Sequence, residues 1–71
     1  MFKSRIKILM EQKGFTLRSL SGVTSLSLRT INKARTDAGI AECRLSTLKR
    51  IAVALGVGVT QLFDEVDGEN N

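Results

Sequence analysis

An all-α fold, a compact domain of five short helices, is what this sequence predicts, and three observations predict it. Apolar residues recur at i, i+3 and i+4 spacing, most plainly in LSTLKRIAVAL at 45–55. Hydroxyl residues stand where helices would start, at Thr16 and Ser27, and glycines where helices would stop, at Gly14 and Gly56. The chain is 71 residues long and 42% hydrophobic, which suits one domain with one modest core and no stabilising metal or disulfide. The domain is expected over residues 1–66, with a disordered acidic tail over 67–71.

The elements follow in order. Residues 3–13 read as a first helix, with Ile6, Leu9 and Met10 on one face and Lys3, Arg5, Lys7 and Glu11 on the others. Gly14 stops it, and Phe15 drops into the core. A second helix runs from Leu17 to about Thr24, with Leu17, Leu20, Ser21 and Thr24 sharing a face. Thr24-Ser25-Leu26 is a tight turn. Ser27 caps a third helix, about Leu28 to Arg35, because its hydroxyl can satisfy backbone N–H groups left free at a helix start. Leu20, Leu26 and Ile31 are the large apolar residues that bury this pair of helices. Ser21 and Ala34 are small where two backbones must come close. Residues 36–44, TDAGIAECR, read as a loop turned by Asp37 and Gly39. The helix over 45–55 presents Leu45, Leu48, Ile51, Ala52 and Leu55 on one side, and Gly56 ends it. A short fifth helix, about Thr60 to Glu65, brings Leu62 and Phe63 to the core. No internal repeat, low-complexity tract or linker marks a second domain.

Charge and composition narrow the function. The net charge of +4 is unevenly spread: residues 1–35 hold eight Lys or Arg and one Glu, residues 36–71 three Lys or Arg and six Asp or Glu. A basic half is the footprint of a polyanion-binding protein, or simply a solvated basic face. The acidic end, DEVDGENN, would point away from a polyanion. There is no His, Tyr or Trp, and the single cysteine, Cys43, has no histidine base, so an enzyme is not expected. No metal cluster or glycine-rich phosphate loop is present, so no cofactor or metal is expected, and no small-molecule ligand is evident. Cys43 reads as a half-buried filler in a reduced, cytoplasmic setting. No run of about 18 apolar residues exists to span a membrane, and the basic amphipathic N-terminus lacks the continuous apolar stretch of a signal peptide.

The stretch Thr16–Arg35, TLRSLSGVTSLSLRTINKAR, resembles the helix-turn-helix of the lambdoid phage repressor and Cro family, also called the Xre type. The residues that carry the resemblance are small Ser21, aliphatic Leu26 and Ile31, and the cap Ser27. LKRIAVALGVGVTQLFD resembles the end of the family domain in its apolar positions, so the likeness covers about residues 3–65. The resemblance implies a lambda-repressor-like fold with a helix-turn-helix formed by helices 2 and 3. It further implies a sequence-specific regulator of transcription, of bacterial or phage origin, that binds double-stranded operator DNA as a dimer. The chain departs from the family at Ser25, where glycine is usual because the turn favours positive φ. Serine there costs on the order of 1 kcal/mol. It also lacks the proline often found near Cys43. Many relatives carry glutamine where this chain has Leu17 and Leu28.

By family position, Leu28, Arg29, Asn32 and Lys33 are the residues expected to face bases. The chemistry fits: Arg29 can bond guanine O6 and N7, Asn32 adenine N6 and N7, and Lys33 can donate to guanine. Leu28 either presses on a thymine methyl or merely extends the core with Leu17. Phosphates are expected at the free N–H groups of Leu17, at the hydroxyls of Thr16, Ser27, Thr30 and Thr36, and at Arg18, Arg35 and Arg44. Arg35 also sits at a helix end, where a cation is favoured. The family's dimer surface falls on Gly58, Val59, Thr60 and Gln61, with Arg44 or Leu45 alongside. Of Val57 and Val59, one should be core and the other free to meet a partner. So small a patch implies a weak homodimer strengthened on DNA. A protein-interaction module of antitoxin or anti-repressor type on the same fold is the competing reading. RNA binding has little support, because the three phenylalanines look like core residues and leave no stacking platform.

Overall fold

The computed structural model describes residues 1–66, so the acidic tail expected over 67–71 lies outside the described residues. Among the described residues there are five α-helices: α1 (Ile6–Lys13), α2 (Leu17–Thr24), α3 (Leu28–Ala34), α4 (Asp37–Glu42) and α5 (Leu45–Leu55). A 3-10 turn covers Val59–Gln61, and a two-stranded antiparallel sheet joins β1 (Phe2–Ser4) to β2 (Phe63–Glu65). Each helix gives its apolar stripe to one core. Ile6, Leu20, Ile31, Ile51 and Leu62 are the largest wholly buried side chains, one from each of five different segments. Each stabilises the fold by roughly 1.5–3 kcal/mol through lost apolar surface. Gly14 and Gly56 end α1 and α5 in the left-handed conformation, at φ 77° and 73°, and so satisfy late helical carbonyls.

Three elements differ from the sequence reading. The first helix starts at Ile6 rather than at residue 3, because Phe2–Ser4 pair as a strand with Phe63–Glu65. The segment 36–44 is not an open loop but contains α4. Thr36 caps it, its hydroxyl accepting from Gly39 N–H at 2.9 Å, and Asp37 supplies a carboxylate to its first turn. Gly39 is buried against the end of α3, where a Cβ would overlap the Lys33 carbonyl oxygen. The fifth helix expected over 60–65 is replaced by the 3-10 turn and β2. Leu62 is buried as expected, and Phe63 meets Phe2 edge to face, ring centroids 5.2 Å apart. Val57 and Val59 are both half-buried against the core, so neither stands free.

The sheet steadies the end of α3 from behind. The Ser4 hydroxyl donates to the Ala34 carbonyl at 2.6 Å, filling one of the acceptors that a helix end leaves open. Ser4 N–H donates to Asp37 Oδ1 at 2.8 Å, and Arg5 N–H to the Leu62 carbonyl at 2.8 Å. The β1 strand thereby closes on the junction between α3 and α4, with Leu62 behind it.

Candidate nucleic-acid interface

The pair α2–α3 is held at its turn by two hydroxyls. Ser25 takes the left-handed conformation, φ 61° and ψ 23°. The Ser21 hydroxyl donates to the Leu26 carbonyl at 2.6 Å. Thr24, 6% exposed, donates to the Leu20 carbonyl at 2.7 Å and accepts from Leu26 N–H at 3.2 Å. Ser21 is small enough for the two helices to approach, and its hydroxyl also closes the turn. The Leu26 backbone is therefore satisfied on both sides without a turn glycine, which offsets the strain at Ser25.

Both helix starts are capped as expected. Thr16 accepts from Ser19 N–H at 3.1 Å, and the Ser19 hydroxyl accepts from Thr16 N–H at 2.9 Å, a reciprocal capping box. Ser27 accepts from Thr30 N–H at 3.1 Å, and the two hydroxyls lie 2.9 Å apart. Helix α3 then divides cleanly. Ile31 and Ala34 are wholly buried, while Leu28, Arg29, Asn32 and Lys33 are exposed together on the outer side.

The outward residues are not all free. Lys33 Nζ lies 3.4 Å from Glu42 Oε1, an exposed ion pair between α3 and α4. Asn32 Oδ1 accepts from Arg35 Nη1 at 3.3 Å. Arg29 and Arg18 are exposed. Leu28 is 41% exposed, whereas Leu17 is half-buried against the core, so the two leucines part company. Thr36 donates its hydroxyl proton to the Lys33 carbonyl at 2.8 Å. Arg44 is exposed at the start of α5 and makes no side-chain cap.

A hollow at the start of α2 gathers Thr16, Leu17 and Arg35 with Lys7, Glu11, Met10 and Phe15. Sequence reasoning missed Lys7 here, and it missed the Glu42 tether. Neither contact has a signal in spacing, because each joins two helices. At the expected dimer surface, Gln61 Oε1 accepts from Gly58 N–H at 2.7 Å, Thr60 is exposed, and Val59 is half-buried. Leu45 is 72% exposed beside an apolar hollow lined by Phe2, Ile40, Ala41, Cys43, Leu48 and Phe63. Cys43 is half-buried, and its thiol donates to the Gly39 carbonyl at 3.3 Å. Burial pushes that thiol above its usual range and the Glu42 carboxylate adds to this, against the opposing pull of Lys33. A raised thiol is a poor nucleophile at neutral pH.

Against this geometry, the family of Cro/C1-type HTH DNA-binding domains matches residues 5–68. The chain belongs to the Cro/C1-type helix-turn-helix family. A relative in Bacillus subtilis (strain 168), the SPbeta prophage-derived HTH-type transcriptional regulator YopO, is 39% identical over 67 residues, covering 94% of this chain and 93% of the relative. No solved structure matches the chain. A Cro/C1-type domain is a DNA-binding module, so α2 and α3 are its helix-turn-helix and the protein is a DNA-binding regulator of transcription. Among the described residues, no helix is long and apolar enough to cross a membrane, and no group of three or more His, Cys, Asp or Glu could hold a metal ion.

Proposed function

We propose that this Cro/C1-type protein is a repressor that binds a pseudo-palindromic operator as a twofold pair, with α3 in the major groove. One observation carries the reading. On α3 the apolar residues Ile31 and Ala34 are wholly buried, and the donors Arg29, Asn32 and Lys33 face outward with Leu28. An α-helix with its side chains is about 10–12 Å across, and it enters a groove roughly 12 Å wide in which all four base pairs are distinguishable. Arg29 donates to guanine O6 and N7, Asn32 pairs with adenine, and Leu28 packs on a thymine methyl. Lys33 reaches guanine by leaving Glu42, which costs at most about 1 kcal/mol for so exposed a pair. Each bidentate contact contributes roughly 1–3 kcal/mol of discrimination.

Thr16, the N–H groups at Leu17, Arg18, Ser27, Thr30 and Arg44 hold phosphates on either side. Two copies sit on half-sites one turn, about 34 Å, apart. They meet through Gly58–Gln61 with Leu45 alongside, the strongly exposed Leu45 being the main support for placing a partner there. The area is small, so pairing is weak in solution and tighter on DNA.

Titrating salt against the protein's own upstream intergenic DNA and against a random duplex tests the reading. The upstream DNA should bind far more tightly, with a salt slope of about −0.9 per neutralised phosphate. Arg29→Ala should relax choice at one base pair, and Arg18→Ala should weaken all sequences alike. Equal, feeble binding to both duplexes would favour the protein-interaction module instead.

A further inference from the structure

Arg35 follows the last residue of α3, and two observations set it apart from the other cations. Its Nε is buried with no hydrogen-bond partner, and the residue borders the hollow lined also by Lys7, Met10, Glu11, Phe15, Thr16 and Leu17. The arm is therefore packed beneath α1 and the start of α2 rather than swinging in solvent. Its free end reaches one turn back along α3, where Nη1 donates to Asn32 Oδ1 at 3.3 Å.

We infer that Arg35 is a positioning residue that fixes the Asn32 amide for base reading. The inference rests on the proposal above that Asn32 faces a base pair. A terminal amide has an acceptor end and a donor end of nearly the same shape, and a half-turn about its last bond exchanges them. An exposed asparagine with no partner samples both. A guanidinium only donates, so it can hold the oxygen and never the NH₂ group. With the arm anchored by burial, the flipped amide would set donor against donor. Adenine needs the amide sorted in this way, with the oxygen accepting from N6 and the NH₂ donating to N7. The bond from Arg35 uses one lone pair of Oδ1 and leaves the other, with the NH₂, for the base. Guanine offers two acceptors in those places, which a freely turning amide can serve with its NH₂ alone.

The test is a competition assay on an operator duplex in which each base pair is replaced in turn. Wild type, Asn32→Ala, Arg35→Met, Arg35→Lys and the double variant Asn32→Ala/Arg35→Met are compared. Asn32→Ala should flatten the preference at one A·T pair. Arg35→Met should flatten that same pair and no other, lowering a preference on the order of tenfold to about threefold. The double variant should be no worse there than Asn32→Ala alone, and Arg35→Lys, which keeps a donor, should recover part of the loss. Thermal melts check that each variant folds. Should the Met variant unfold, Arg35→Gln replaces it, because glutamine can hold either end of the amide and so removes the sorting. Even weakening at every position, or a loss that adds to that of Asn32→Ala, would overturn the inference. If Asn32→Ala flattens a pair that Arg35→Met leaves untouched, this inference fails while the base-reading proposal stands. If Asn32→Ala changes no position, both fail.

Discussion

Two turns flank α3, and they use serine, threonine and glycine in opposite ways. The turn before it places Ser25 at φ 61°, a conformation in which glycine is the comfortable residue, and yet no glycine is there. Hydroxyls from Ser21 and Thr24 hold the Leu26 backbone instead. The turn after it leads straight into α4, whose first turn carries Gly39, with a φ ordinary for any residue, and yet only glycine fits. A Cβ at 39 would overlap the Lys33 carbonyl oxygen and crowd the Thr36 hydroxyl. One turn thus tolerates torsional strain because side chains fasten it. Past the other, Gly39 of α4 tolerates no side chain because two backbones meet. Both fix the ends of the helix that carries the outward donors.

The sharpest way to break this contrast is Gly39→Ala. It should destabilise the protein by about 1–3 kcal/mol or more, because the overlapped atom is backbone and cannot swing aside. Urea denaturation reads the loss, and a neutral result would mean that α4 can slide off α3 freely. Thr24→Val comes next. It keeps the shape but removes a buried hydroxyl that serves two backbone groups, and should cost roughly 1–3 kcal/mol by the same measurement. Ser25→Gly should act in the other direction, stabilising by about 0.5–1 kcal/mol as left-handed strain is relieved against the extra chain entropy of glycine. A loss of stability there would show that the serine side chain is needed for something besides the torsion. The smallest effect belongs to Glu42→Gln, whose exposed pair with Lys33 contributes less than about 0.5 kcal/mol to folding. Its consequence should appear on DNA. Freeing Lys33 and removing a repelling carboxylate should tighten binding to a random duplex, measured at low salt.

How far the sequence could be read differs between these regions for the same reason. From Thr16 to Ala34 the determinants are local. A cap and its helix are three residues apart, and the turn hydroxyls bond within five residues. Periodicity, caps and the αL turn were all visible there, and the family likeness agreed with them. The α4 segment carried its cap, Thr36, in plain view. Its decisive feature, the approach of Gly39 to Lys33, involves a helix on the far side of a turn, so Asp37 and Gly39 read as loop formers. The last segment went further astray. Thr60–Glu65 has an acceptable helical pattern, but Phe63–Glu65 instead pair with Phe2–Ser4, some sixty positions earlier in the chain. No window on the sequence spans that distance.

The outward residues divide in the same way. That Arg29, Asn32 and Lys33 share the polar side of a short helix follows from spacing alone, since Ile31 and Ala34 must turn inward. That Asn32 is held by a half-buried Arg35, and Lys33 tethered by Glu42, depends on which neighbours stand beside α3. Sequence by itself determined the helix-turn-helix, its caps, its buried face and the concentration of positive charge in the first half, because each is set by residues a turn or two apart. Tertiary structure alone decided the sheet that pairs Phe2–Ser4 with Phe63–Glu65, the helix where a loop was expected, and which donors on α3 come already engaged. Those outcomes depend on backbone and side-chain groups far apart in the chain being brought within hydrogen-bond reach, and only the packed core does that.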